Sequence, residues 1–140
     1  MIRFHGIDFP WNLSIIWYMK KIYDIINDRY LSKKDIHFFK KNSTDKQKRK
    51  ILDDVGNKNG MECVILENLS YPKGLIGYMF ENDKMRCVYD REIMIEDIMD
   101  ELECNWEDAE SLLEYNSIRG CVYCYTDNEP CPIIISYEEE

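Results

Sequence analysis

GLIGYMFENDKMRCVYDREIMIEDIMDELEC, residues 74–104, sets the reading of the whole chain. GLIGYMF (74–80) and KMRCVYD (84–90) are short runs of β-branched, aromatic and sulfur-bearing residues. Between them END (81–83) is a hairpin turn. The period then changes. Met94, Ile95, Ile98, Met99 and Leu102 share one face of a helix, and Glu92, Glu96, Asp97, Asp100, Glu101 and Glu103 lie mostly on the other. Asp90, just ahead of the first turn, is placed to cap it.

Downstream, NWEDAESLLEYN (105–116) predicts a second acidic helix. Asn105 is its N-cap, Asp108 sits three residues on, and Ala109, Leu112 and Leu113 face inward. SIRGCVYC (117–124) and CPIIIS (131–136) read as a C-terminal β-hairpin, followed by a frayed, solvated EEE tail. Upstream, MECVILENL (61–69) is strand-like, and NKNG (57–60) is a turn after a helix through DKQKRKILDDV that Thr44 caps and Gly56 stops. SKKD (32–35) has capping-box spacing ahead of a short helix, IHFFKK. Ile15, Tyr18, Met19, Ile22, Ile26 and Tyr30 recur at three- and four-residue spacing and predict a helix from Asn12, after a short strand IRFHGIDF ended by Pro10. The expected fold is α+β: N-terminal helices, an antiparallel sheet, two acidic helices and a C-terminal β-hairpin. At 140 residues one domain is expected (1–140), with a mainly helical basic part (1–56) and an acidic α+β part (57–140). No apolar run reaches the length of a bilayer span, and the first residues carry no leader pattern, so a cytoplasmic location is expected.

The net charge of −9 is unevenly spread. Residues 1–50 hold 12 Lys and Arg against 5 acids, residues 51–84 hold 3 against 6, and residues 85–140 hold 3 against 16. Between Asp90 and Glu114 eleven carboxylates face one base, Arg91. Helix surfaces gain from mixed signs at i,i+4, so an unmixed face repels itself and invites a reason. Glu96, Asp97, Asp100, Glu101, Glu103, Glu107, Asp108 and Glu110 are therefore the candidate partner-binding residues. A basic protein surface is the expected partner, and nucleic acid is not, because like charges repel and release no counterions. The basic block KKDIHFFKKNSTDKQKRK (33–50) could instead touch phosphate, or be neutralised within the fold by the acidic helices.

CVYCYTDNEPC (121–131) holds three of the six cysteines. In a reducing compartment they are either core residues or ligands. Cys121, Cys124 and Cys131, with Cys104 as fourth and His5, Cys63 or Cys87 as other options for it, form a candidate structural zinc site. The segment lacks the glycine of a tight knuckle, and in an extended strand Cys121 and Cys124 would point to opposite faces. Cys63 and Cys87, on apolar runs, are expected in the core. A Cys–His enzyme has only His5 and His37 to draw on, His37 is expected to face solvent, and no Gly-rich phosphate loop, GxSxG or HExxH is present.

From Val88 on, the chain resembles small proteins of phages and gut-bacterial prophages. The resemblance is carried by Tyr89-Asp90, Glu107-Asp108-Ala109, Glu114-Tyr115-Asn116, Ile118-Arg119 and Pro132-Ile133-Ile134. That family has apolar residues or glycine where Cys121, Cys124 and Cys131 stand, and it brings no activity with it. It implies a phage origin. Small size, acidity and that origin resemble the host-defence inhibitors, anti-CRISPR proteins among them. The expectation is an inhibitor of a Cas9-type nuclease; a nucleic-acid-associated regulator using residues 33–50 and a cysteine- or metal-dependent enzyme are the alternatives.

Overall fold

The structure is a computed structural model that describes residues 3–4, 7–8, 20–63, 65–66, 73–118 and 131–139. It is α+β. Two two-residue strands, β1 (Arg3–Phe4) and β2 (Ile7–Asp8), pair with each other. The main sheet has six strands in the order β4-β3-β8-β7-β6-β5. Its members are β3 (Lys20–Asp24), β4 (Arg29–Leu31), β5 (His37–Phe38), β6 (Leu75–Glu81), β7 (Lys84–Asp90) and β8 (Ile133–Glu139). The helices are α1 (Asp45–Asn59), α2 (Arg91–Leu102) and α3 (Trp106–Leu113).

The β6–β7 hairpin forms where the sequence places it. Asn82 (φ 52°) and Asp83 (φ 61°) both take the left-handed conformation, which matches the twist of a two-residue hairpin and which Asn and Asp tolerate. At Gly77 a Cβ would stand 2.5 Å from the His37 carbonyl oxygen, so β5 can close on β6 only against a glycine. The helices also follow their caps. The Asp90 carboxylate accepts from the Ile93 amide at 3.1 Å, and Asn105 Oδ1 from the Asp108 amide at 2.8 Å. Thr44 and Gln47 form a reciprocal capping box at α1. That helix runs on through Gly56 and ends at Gly60, whose φ of 65° is the left-handed cap. NKNG is thus the last turn of α1 and its cap. At its other end α3 passes into a single π-helical turn, Glu114–Ile118.

Several expectations fail. Residues 20–31 form the β3–β4 hairpin, not a helix; residues 12–19 lie outside those described. Ile22, Tyr23, Ile25, Ile26 and Tyr30 are β-branched or aromatic, and pairing with β8 outweighs the chance 3.6-residue spacing. Asp24 fixes the turn by accepting from the Asn27 amide, Asn27 Nδ2 and Arg29 Nε, while Asp28 takes φ 51°. IHFFKK is no helix either. One 3₁₀ turn (Lys33–Asp35) follows the Ser32 cap, and His37–Phe38 extends beside β6. The N-terminal part is therefore not mainly helical among the described residues.

Residues 61–63 and 65–66 carry no strand. They run as irregular chain over the helix-side core, held by the Leu66 amide donating to the Tyr89 hydroxyl at 3.1 Å. Finally, the sheet is mixed rather than antiparallel; of the expected C-terminal hairpin, residues 119–130 lie outside those described. β8 lies antiparallel to β3 and parallel to β7. Glu138 and Glu139, expected to fray, belong to β8, in register with Lys21 and Lys20 of β3.

Two cores flank this sheet. On the helix side Leu75, Met85, Cys87, Tyr89 and Ile134 pack with Leu52 of α1, Met94, Ile95 and Ile98 of α2, and Ala109 and Leu113 of α3. On the other face Ile22, Ile76, Met79, Val88, Ile133 and Ile135 meet Ile36. Burying a Leu, Ile or Met side chain is worth about 1.5–3 kcal/mol, so both cores hold the sheet. Among the described residues no helix is long and apolar enough to cross a membrane.

Candidate functional site

The acidic residues named from sequence fall on α2, α3 and the junction between them. Glu92, Glu96, Asp100, Glu101, Glu103, Glu107 and Asp108 are all exposed, and none forms an ion pair among the described residues. The other acids of the block have partners. Arg91 Nη2 reaches Glu110 at 2.9 Å and Glu114 at 3.3 Å, tying the start of α2 to the end of α3. Asp97 is only 13% exposed and sits 4.0 Å from Lys73. Burial pushes its carboxyl up, Lys73 offsets this, and Glu101 and Asp100 add to the rise. The buried Lys48 of α1 also faces Asp97, and burial lowers the Lys48 ammonium. Asp97 therefore belongs to the fold's internal charge balance rather than to the open face. Two more bases of the block find partners within α1, Arg49 with Asp45 and Lys50 with Asp54. The two charged blocks are thus joined at Lys48 and Asp97.

Sequence reasoning missed the apolar content of this acidic surface. Leu102 is 58% exposed, Trp106 38%, Leu112 37% and Tyr115 71%. Leu102 and Leu112 were expected to face the core. Leu102 lies in the last residue of α2, beside the left-handed Glu103 that turns the chain away, and α3 buries only Ala109 and Leu113. Trp106 and Tyr115 flank α3 at its start and just past its end, which is the one signal that could have marked them.

The cysteines divide differently. Cys121 and Cys124 lie outside the described residues. Cys131 is buried just before β8, and its carbonyl accepts from Arg86 Nε at 2.9 Å and Nη2 at 2.6 Å. Cys104 is half-buried against the helix-side core at the α2–α3 junction. Among the described residues no three His, Cys, Asp or Glu side chains form a metal-holding group. Among the described residues the Cys63 and Cys87 sulfurs approach to 3.0 Å, with the buried Cys87 donating. That bond lowers the Cys63 thiol and, with burial, holds Cys87 well up. His37, the only described histidine, is exposed and stacks on Tyr78, so it makes no base for either cysteine.

One buried carboxyl stands apart. Asp90 is 1% exposed, and burial raises it to about 6 despite hydrogen bonds from the Ile93 amide and the Tyr137 hydroxyl. It ends β7 and caps α2, joining the sheet to the acidic helices.

No family model, curated protein or solved structure matches the chain.

Proposed function

We propose that the chain is a binding inhibitor of phage origin, acting in the host cytoplasm. It docks the α2–α3 surface onto the basic, nucleic-acid-holding surface of a defence nuclease of the Cas9 type. The observation that carries this reading is the exposure of Leu102, Trp106, Leu112 and Tyr115 among seven unpaired carboxylates. A face kept only for solubility has no use for an exposed Trp and Tyr. In a protein interface those residues are the usual energetic anchors, while the surrounding carboxylates steer a basic partner and reject wrong ones.

The test is inhibition of guide-directed DNA cleavage by a purified Cas9-type nuclease, with binding followed by calorimetry. The quadruple variant Glu96→Lys, Asp100→Lys, Glu101→Lys, Glu103→Lys spares the half-buried Asp97 and so leaves the fold intact. It is expected to lose inhibition entirely. Trp106→Ala alone is expected to weaken binding by about 2 kcal/mol, roughly 30-fold. Full inhibition by the quadruple variant would sink the proposal, as would absence of binding by the wild-type chain.

A further inference from the structure

Opposite in charge to the α2–α3 surface, a second feature lies beyond the β5 edge of the sheet. Here α1 and the loop that leads into it leave a cleft of about 950 Å³. That is the size of pockets that enclose a small ligand, roughly 300–1,000 Å³. The His37 and Tyr78 rings stack in its wall, 4.9 Å apart and 10° from parallel, because the two residues are directly opposite in the β5–β6 ladder. Phe80 braces both rings edge-on at 5.9 Å. The imidazole is exposed, so the stack presents a flat platform.

The rest of the lining is mixed: Phe38, Phe39 and Ile51 are apolar, and Lys40, Lys41, Lys50, Asn42, Ser43 and Gln47 are cationic or polar. Among the described residues no carboxylate lines it. Lys50 is engaged by Asp54 at 3.1 Å. Lys40 and Lys41 have no carboxylate partner among the described residues. In a chain of net charge −9 this is a local reversal of sign beside an aromatic platform. A flat ring with attached anionic groups satisfies both halves: the ring stacks on His37 and the anion sits between the lysines.

We infer that the cleft beside β5 binds the base and phosphates of a nucleotide, either free or within a single strand. The site is separate from the proposed protein-docking surface and does not depend on it. Stacking supplies contact without regard to which base is present, so little base preference follows. With Lys40 and Lys41 as the free cations, two phosphates are contacted.

The experiment is fluorescence anisotropy with a labelled oligothymidylate and competition by free AMP and ATP at about 50 mM salt, where phosphate contacts are strongest. Binding is expected for the wild type, and His37→Ala is expected to weaken it about 10-fold. Lys40→Glu with Lys41→Glu is expected to abolish it. Lys40→Ala with Lys41→Ala should flatten the log–log salt dependence by about 1.4, two phosphates at roughly 0.7 each. Lys34→Glu with Lys58→Glu makes the same charge change outside the cleft and is expected to leave binding unchanged. Displacement by AMP or ATP assigns the site to free nucleotide, and binding of the oligomer without displacement assigns it to a strand. Circular dichroism checks that each variant is folded. Lack of binding by every probe, or an equal loss in the Lys34/Lys58 variant, would overturn the inference.

Discussion

Arg29 Nη2 and Glu81 Oε2 form an ion pair at 2.5 Å, although their strands, β4 and β6, are four places apart in the sheet. In a flat sheet that separation would be about 19 Å, four strand spacings. The sheet must therefore curl until its β4 side returns toward the tip of the β6–β7 hairpin. Glu81 holds Arg86 at 2.8 Å with its other oxygen, and Arg86 in turn holds the Cys131 carbonyl. Glu81→Gln leaves the Arg86 guanidinium, 8% exposed, without a carboxylate. The expected loss is about 2–3 kcal/mol in urea denaturation. Arg29→Ala leaves Arg86 its carboxylate but takes Nε from Asp24, whose side chain is 0% exposed, so a loss of similar size, about 2 kcal/mol, is expected. A loss under about 1 kcal/mol in Glu81→Gln would show that Arg86 does not depend on Glu81.

Asp90 predicts a pH dependence whose sign can be worked out. Its folded pKa of about 6 lies above the unfolded carboxyl value of roughly 3.9. The folded state therefore holds the proton more tightly. The resulting stability is fully present below about pH 4 and is lost as pH rises through about 6. Asp90→Asn keeps an acceptor for the Ile93 amide and cannot ionise. The difference in unfolding free energy between wild type and this variant should shift by about 2 kcal/mol between pH 4 and pH 7, against the wild type. A difference that stays flat would mean that the carboxyl is solvated in the folded state.

Glu103 ends α2 with φ 52°, a conformation that a side chain disfavours and glycine does not. Glu103→Gly is expected to raise stability by about 0.5–1 kcal/mol, read as a higher urea midpoint at unchanged slope. The same change removes one charge from the proposed docking surface. Greater stability with weaker partner binding would identify Glu103 as a residue kept at the expense of its own helix.

The paired thiols predict selective chemistry. Cys63 is half-buried and lowered by the bond from Cys87, whereas Cys87 is buried and raised. With limiting iodoacetamide at neutral pH, Cys63 should be alkylated before Cys87 by peptide mass spectrometry. Cys87→Ala removes the donor and should slow alkylation of Cys63. Faster labelling of Cys63 in that variant would show that access, not the hydrogen bond, sets its rate.

What the sequence disclosed was local. Asn82-Asp83 between two apolar runs, Asp90 before α2, Asn105 before α3 and Thr44 before α1 are short-range signals whose partners lie within four residues. The β3 strand failed because Ile22, Ile26 and Tyr30 satisfy a helical spacing equally well, and the decision came from β8, more than a hundred residues away. The acidic surface was visible in composition, since a fold cannot bury most of the eleven carboxylates that fall between Asp90 and Glu114. The open positions of Leu102 and Leu112 were not visible, because a helical wheel assumes that every apolar side has something to pack on. The His37–Tyr78 stack arises from register across the β5–β6 ladder, which no single-residue pattern records.

The place of β8 has a consequence for assembly. Among the described residues the β3–β4 hairpin and the β5–β6–β7 unit share no ladder with one another; each ladder runs within its own unit or to β8. During synthesis both can form as soon as they are made, yet they stay two separate half-sheets until residues 133–139 insert between them. Closure of the fold is thus a late, non-local event of the kind that slows folding. Until then the facing edges of β3 and β7 are open to any extended strand that reaches them first.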